Sequence, residues 1–183
     1  HSRPRCPTCK NGPDEGDDVI DPLDHWMGGT EQEGRGWKML MGALAAGRGM
    51  SRPSLSAAAA AFSARTSGAY ARVREQFNLP VGKFEGVQAR LGQIAGTAYL
   101  LDAARRLTCA GLDGGRKLAV ISAIMKAQAT NRMRQAVNDA MDIHAGKAVI
   151  DGPSNYLGNL YRAVPVGITV EGANILTRNL IIS

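Results

Sequence analysis

Between Phe84 and Leu101 the apolar residues Phe84, Val87, Leu91, Ile94, Ala98 and Leu101 recur at alternating steps of three and four. Only an α-helix brings that spacing to one side, so the run predicts a bundle helix with a single buried seam. Gly114-Gly115 ends it. The flanking sequence repeats the pattern. Trp37, Leu40, Met41 and Leu44 mark one face of a segment from about Gly36 to Arg48, which Pro53 kinks or breaks. A second segment starts near Ser54 and runs through the Ala57–Ala61 stretch to Phe77, where alanine lets neighbouring helices approach closely. Asn78 to Gly82 reads as a loop. Leu118, Ile121, Met125, Met133, Val137 and Met141 define a further helix from about Lys117 to Ile143. A short helix follows around Leu157, Leu160 and Tyr161, and Val164 to Val170 interrupts the pattern. A last helix is expected from Glu171 or Gly172. Long helices on short connections predict an all-α, antiparallel up-down bundle.

Residues 1–33 are rich in Pro, Gly and Asp and lack this periodicity. Asp18 to Leu23 reads at most as a lone strand, which is not stable without neighbours. The expected division is therefore an irregular N-terminal stretch, residues 1–33, and a helical domain, residues 34–183. His1 in place of Met, and Ser183 directly after Leu180-Ile181-Ile182, fit a piece cut from a longer polypeptide. Of 183 residues, 44% are hydrophobic, enough for a real core. The sequence holds no uninterrupted apolar run of the ~18 residues a membrane span needs, and no apolar signal-peptide centre. A cytoplasmic location is expected, with peripheral attachment to the inner membrane as an option. Three cysteines are too few for a disulfide framework. Cys6-Pro7-Thr8-Cys9 has half the spacing of a zinc site, but no second ligand pair follows, so no metal is expected. The formal charge of +6 is spread along the helices without a basic block, which argues against a dedicated nucleic-acid arm.

Few residues are placed for chemistry. His144 sits at a helix end and reads as solvent- or terminus-facing, and His25 and Asp24 lie in the irregular N-terminal part. Glu171 is different. It is the only carboxylate after Asp151, it interrupts an apolar run, and Gly172 and Ala173 behind it leave room for a ligand. Partial desolvation in such a place raises a carboxyl pKa toward the range of a general base. The alternative is an acid that favours the positive end of the last helix.

Thr169-Val170-Glu171-Gly172-Ala173-Asn174-Ile175-Leu176-Thr177-Arg178 resembles the C-terminal signature of acyl-CoA dehydrogenases, closest to the long bacterial branch of fatty-acid β-oxidation. Gly34 to Arg48 is similar to that family's entry into its C-terminal helical domain. Arg74-Glu75-Gln76-Phe77 with Val81-Gly82-Lys83 resembles its R-x-x-F segment, and Asp142 to Gly146 its Gly-rich flavin-contacting loop. The match covers about residues 11 to 183. The resemblance implies that residues 1–33 are a short N-terminal β-domain remnant, the tail of a preceding middle β-domain with its linker, and residues 34–183 a C-terminal four-helix-bundle domain, truncated. It implies that Glu171 removes the α-proton of an acyl-CoA while the β-hydride passes to N5 of FAD, giving the trans-2-enoyl-CoA. Relatives that carry their base at the start of the bundle would have it at Gly47, which cannot serve.

The same resemblance implies that Arg74 reaches the FAD pyrophosphate of a neighbouring subunit, with Phe77 near the adenosine part. Asp142 and Gly146 would line the dinucleotide, and Ala173 and Asn174 would lie against the flavin. Asp142 departs from the Gln of short-chain-type members, and Ala173 and Ile175 lack their polar side chains. Arg48 and Gly172 are expected beside the acyl-CoA. Implied partners are an acyl-CoA substrate, a second copy of the chain in a homodimer or higher homo-oligomer, and an electron acceptor such as electron-transfer flavoprotein. The isolated piece is expected to be inactive. An acyl-CoA oxidase of the same fold, and a non-catalytic basic bundle that binds nucleic acid, are the alternative readings.

Overall fold

The computed structural model describes residues 15–116 and 118–182. The chain divides into two compact units, His1–Ala43 and Leu44–Ser183. In the first, single 3-10 turns at Leu23–His25 and Thr30–Gln32 precede the start of a long helix. Asp18 to Leu23 forms no strand; Val19 and Ile20 are exposed and meet no neighbouring strand among the described residues. Cys6 and Cys9 lie outside the described residues.

The second unit is an all-α bundle. Its helices are the remainder of α1 (Gly36–Val73), α2 (Glu85–Asp113), α3 (Ala119–His144), the single turn α4 (Gly146–Val149), α5 (Gly158–Thr169) and α6 (Asn174–Ile182). Helix α3 lies at the centre and packs on α2, α4, α5 and α6. One core joins Ala57 and Ala60 of α1 to Ile94 and Leu101 of α2 and to Ala129, Ala136, Ala140 and Ile143 of α3. A second joins Ala59 to Met133, Val137 and Val164, bringing in α5. The Ala-rich stretch thus lets α1 approach α3 closely. At Gly49 the approach is tight, since a Cβ there would lie 2.9 Å from Ser122 Cβ.

Three boundaries differ from the periodicity reading. Pro53 does not break the first helix, which continues from Gly36 to Val73. A proline in a helix interior loses one backbone bond and costs about 3 kcal/mol. Here Pro53 is buried, the alanine face beyond it is packed, and the Ser56 hydroxyl donates to the Arg52 carbonyl at 2.8 Å. Tertiary packing therefore outweighs the local penalty. Helix α5 likewise runs through Pro165 to Thr169. Helix α1 stops at Val73 rather than Phe77, and residues 74–80 form a hairpin. Its strands β1 (Glu75–Gln76) and β2 (Leu79–Pro80) pair antiparallel, with Gln76 opposite Leu79. Phe77 and Asn78 at its tip have φ of 56° and 60°, the two positive angles that a type I′ turn needs.

Candidate functional site

Helix α5 ends at Thr169 and α6 begins at Asn174, so the chain must reverse within four residues. It does so through two consecutive left-handed residues, Glu171 at φ 55° and Gly172 at φ 84°. Glycine takes that conformation freely; glutamate does not, and holding it there costs of order 1–2 kcal/mol. Glu171 is therefore not a residue of the last helix, and the first-turn explanation for an acid at this position falls away.

A buried lysine holds the turn. Lys126 of α3 is fully buried, and its ammonium donates to the carbonyls of Ile168 at 3.0 Å and Gly172 at 2.7 Å. Its third bond goes to Asn174 Oδ1 at 2.8 Å. These three acceptors use all the donors of an ammonium group. Asn174 returns the tie, its amide nitrogen donating to Thr130 Oγ1 at 2.9 Å and Asn131 Oδ1 at 3.1 Å. Burial is the main force pushing the Lys126 pKa down, with Arg52 adding to it. The Asn174 side chain is thus committed to joining α6 to α3. Ala173 beside it is half-buried, and its carbonyl accepts the Thr177 amide at 2.9 Å.

Glu171 faces α1. Arg52 Nη2 donates to Glu171 Oε1 at 2.6 Å, and both side chains are about three-quarters buried. The second carboxylate oxygen, Oε2, is buried without a partner among the described residues. Arg48 lies one turn earlier on the same helix, with Nη1 3.4 Å from where a Cβ on Gly172 would stand. The Nε atoms of Arg48 and Arg52 are also buried without partners among the described residues. Three cations, Arg48, Arg52 and Lys126, therefore surround one carboxylate. The expectation that desolvation raises the Glu171 pKa is corrected here. Desolvation does raise it, but the Arg52 hydrogen bond outweighs that, and Lys126 and Arg48 add to the lowering.

Arg74, Asp142, His144 and Gly146 lie toward the other end of the bundle. Lys126 stands two turns in from the start of α3 and His144 at its end, about 27 Å apart at 1.5 Å per residue. Near His144, a groove of about 710 Å³ is lined by Arg74, Gln76, Ala145, Gly146 and Lys147, over Tyr70 and Ile143. This brings Arg74 and Gly146 together. Arg74 is exposed and forms no ion pair among the described residues. A Cβ on Gly146 would meet nothing within 4 Å, so the groove is open there. Phe77 is exposed at the hairpin tip, edge-on to Phe84 at 6.3 Å, and is not part of the core. Asp142 lines a different groove, with Arg90, Asn138, Tyr161 and Arg162.

His144 is not the solvent-facing imidazole the sequence suggested. It is buried, bonded through Nδ1 to the Ala140 carbonyl at 2.8 Å and through Nε2 to the Tyr156 hydroxyl at 2.7 Å. Its ring stacks on Tyr70, with centroids 4.4 Å apart. Burial holds its pKa below the ordinary value. It supports the floor of the groove as a neutral ring.

Arg52 and Lys126 were not singled out by sequence reasoning. Arg52 is four residues after Arg48, a same-face spacing, but ending the first helix at Arg48 hid the pairing. Lys126 carries no local signal, because a lysine in a helix reads as a solvated face.

Residues 34–183 match the family model described as the acyl-CoA dehydrogenase C-terminal domain. The chain is 29% identical over 154 residues to the probable acyl-CoA dehydrogenase FadE10 of Mycobacterium tuberculosis, covering 84% of this chain and 23% of that protein. It is 31% identical over 119 residues to a 3-(aryl)acrylate reductase of Clostridium sporogenes, covering 62% and 30%. In structure it is similar to an acyl-CoA dehydrogenase of Geobacillus kaustophilus, with a TM-score of 0.77 at 23% identity, over 82% of this chain and 39% of that one. At that identity the likeness shows the fold. The chain spans between about a quarter and two fifths of the length of these relatives. Among the described residues no helix is long and apolar enough to cross a membrane. With its match spanning residues 34–183 and its fold that of the same helical domain, the chain belongs to the acyl-CoA dehydrogenase family.

Proposed function

We propose that this chain is the C-terminal part of a flavin-dependent acyl-CoA dehydrogenase in which Glu171 removes the α-proton of an acyl-CoA thioester. The observation that carries this reading is the placement of Glu171. It is a strained, left-handed residue, half-buried, with one carboxylate oxygen unpartnered among the described residues and a glycine beside it. Strain held at a carboxylate by a dedicated buried lysine is expected of a functional position rather than of a surface turn. The neighbouring cations suit proton abstraction next to a carbonyl, because negative charge develops on the thioester oxygen as the α-proton leaves. Gly172 leaves that approach open, and Arg48 lies against it.

The groove at the other end fits the diphosphate part of FAD. Arg74 and Lys147 bring two cations to it, and Gly146 leaves the backbone uncovered. Arg74 offers the planar fork that pairs with phosphate oxygens. When bound, FAD would supply the hydride acceptor that completes a dehydrogenation to the trans-2-enoyl-CoA. Because Arg74 and Glu171 lie toward opposite ends of α3, one chain uses them on separate cofactors. This supports Arg74 acting on the FAD of a second copy, and hence a homo-oligomer. Asn174 does not contribute its side chain, and Asp142 would act from its own groove. We read residues 1–33 as the tail of a preceding domain and residues 34–183 as the helical domain.

The test uses the full-length protein. Glu171→Gln should bind flavin as wild type does and fail to bleach it on addition of acyl-CoA. Flavin bleaching at the normal rate would remove Glu171 from the reaction. Hydrogen peroxide formed in step with turnover would instead identify an oxidase.

A further inference from the structure

An ion pair as short as that between Arg52 and Glu171 is at odds with the task assigned to Glu171. A base that must collect a weakly acidic proton works better when its conjugate acid is not disfavoured. Every charged group facing the carboxylate disfavours it: Arg48 and Arg52 from α1, and Lys126 from α3. Arg52 is the largest contributor and the only one of the three in contact with a carboxylate oxygen. Lys126 is occupied by the Ile168, Gly172 and Asn174 oxygens. Arg48 lies against Gly172. Arg52 also sits four residues before Ser56, whose hydroxyl bonds the Arg52 carbonyl, so its backbone is fixed on the packed part of α1.

We propose that Arg52 is a positioning residue for Glu171: its guanidinium fixes the carboxylate against α1, and proton abstraction requires the pair to loosen. The inference rests on Glu171 being the base. It has a consequence that a packing role for Arg52 would lack. Removing the guanidinium should act in opposite directions at the two ends of the pH range. At alkaline pH the freed carboxylate is a stronger base and the proton-abstraction step accelerates. At acid pH a larger fraction is already protonated and the step slows. A residue that only supports the fold would slow the step at every pH.

The experiment is single-turnover flavin bleaching by acyl-CoA between pH 3.5 and 9, with the full-length protein and its Arg52→Met, Arg52→Gln, Arg52→Lys and Glu171→Gln variants. Carboxyl titration of Glu171, by ¹³C NMR of glutamate-labelled protein without substrate, accompanies it. For Arg52→Met, the acid limb of the rate profile and the Glu171 titration should both move to higher pH by at least half a unit. The plateau rate above pH 8 should rise about two- to fivefold. Arg52→Lys, which retains a charge, should return most of the titration shift, and Arg52→Gln, which removes the charge but keeps a polar side chain, serves as the informative variant if Arg52→Met does not fold. An unmoved limb and titration in the charge-removing variants, Arg52→Met or Arg52→Gln, with Glu171→Gln inactive, would overturn the role of Arg52 while leaving Glu171 as the base. Bleaching that persists in Glu171→Gln would overturn both.

Discussion

Lys126 Nζ lies 2.7 Å from the carbonyl oxygen of Gly172, so a residue in the middle of the bundle fixes the turn that carries Glu171. A buried ammonium is costly unless every donor is matched, and here all three are. The turn and the lysine depend on one another. Without the lysine, the Ile168 and Gly172 carbonyls and the Asn174 amide oxygen lose their donor. Without the turn, the lysine is a buried charge with nothing to face it.

Lys126→Met tests this dependence. Leaving a buried acceptor unsatisfied costs about 1–3 kcal/mol, and the substitution strands more than one. The chain should lose roughly 3 kcal/mol, read as a lowered urea midpoint with little change in helix content by circular dichroism. Lys126→Arg should not rescue it, because a planar guanidinium does not match three acceptors placed around a compact ammonium.

Gly49→Ala probes a tight approach of α1 to α3. A Cβ would lie 2.9 Å from Ser122 Cβ, inside the shortest distance carbon atoms tolerate. Overpacking of this kind costs about 1–3 kcal/mol, against a helix-propensity gain for alanine over glycine of about 1 kcal/mol. The net expectation is destabilisation by thermal melting. The double variant Gly49→Ala with Ser122→Gly should recover it.

His144 gives a pH-dependent stability of known sign. Burial lowers its pKa in the folded chain from the ordinary value of 6.5, so below that value the unfolded chain binds the proton more readily. The stability His144 supports is complete above pH 6.5 and is lost as pH falls through 6.5 toward its folded value. The difference in unfolding free energy between wild type and His144→Gln should shrink between pH 7.5 and pH 5.5. A difference that stays constant over that interval would mean that the ring does not titrate on unfolding.

Arg74→Gln addresses the open groove. Hydrogen bonds to charged groups are worth about 1.5–3 kcal/mol, so loss of the fork should weaken FAD binding by about 10- to 100-fold in the full-length protein. At saturating FAD, the Glu171-dependent bleaching should be unchanged, because Arg74 stands at the far end of α3 from Glu171. A fall in that rate at full occupancy would contradict the separation of the two sites.

Particular residues show where reading the chain succeeded and where it failed. The seam of α2, from Phe84 to Leu101, was legible because helix periodicity is a property of neighbours in sequence. Ile94 and Leu101, both in that seam, are core residues. The continuity of α1 through Pro53 was not legible, because the packing that offsets its lost hydrogen bond comes from α2 and α3. Glu171 stood out as a carboxylate in an apolar run, but the direction of its pKa shift was misread. Desolvation can be inferred from surrounding sequence; an arginine 119 residues away cannot.

Sequence alone determined the helical class, the segment that carries Glu171 and the family resemblance, all of which rest on local spacing and local residue types. Tertiary structure alone decided that Lys126 is buried, that Asn174 is turned inward, that His144 is a neutral core ring, and that Arg52 meets Glu171. The physical reason is common to all four. The state of a polar or charged side chain is set by which opposite groups reach it once water is excluded, and those groups come from other helices.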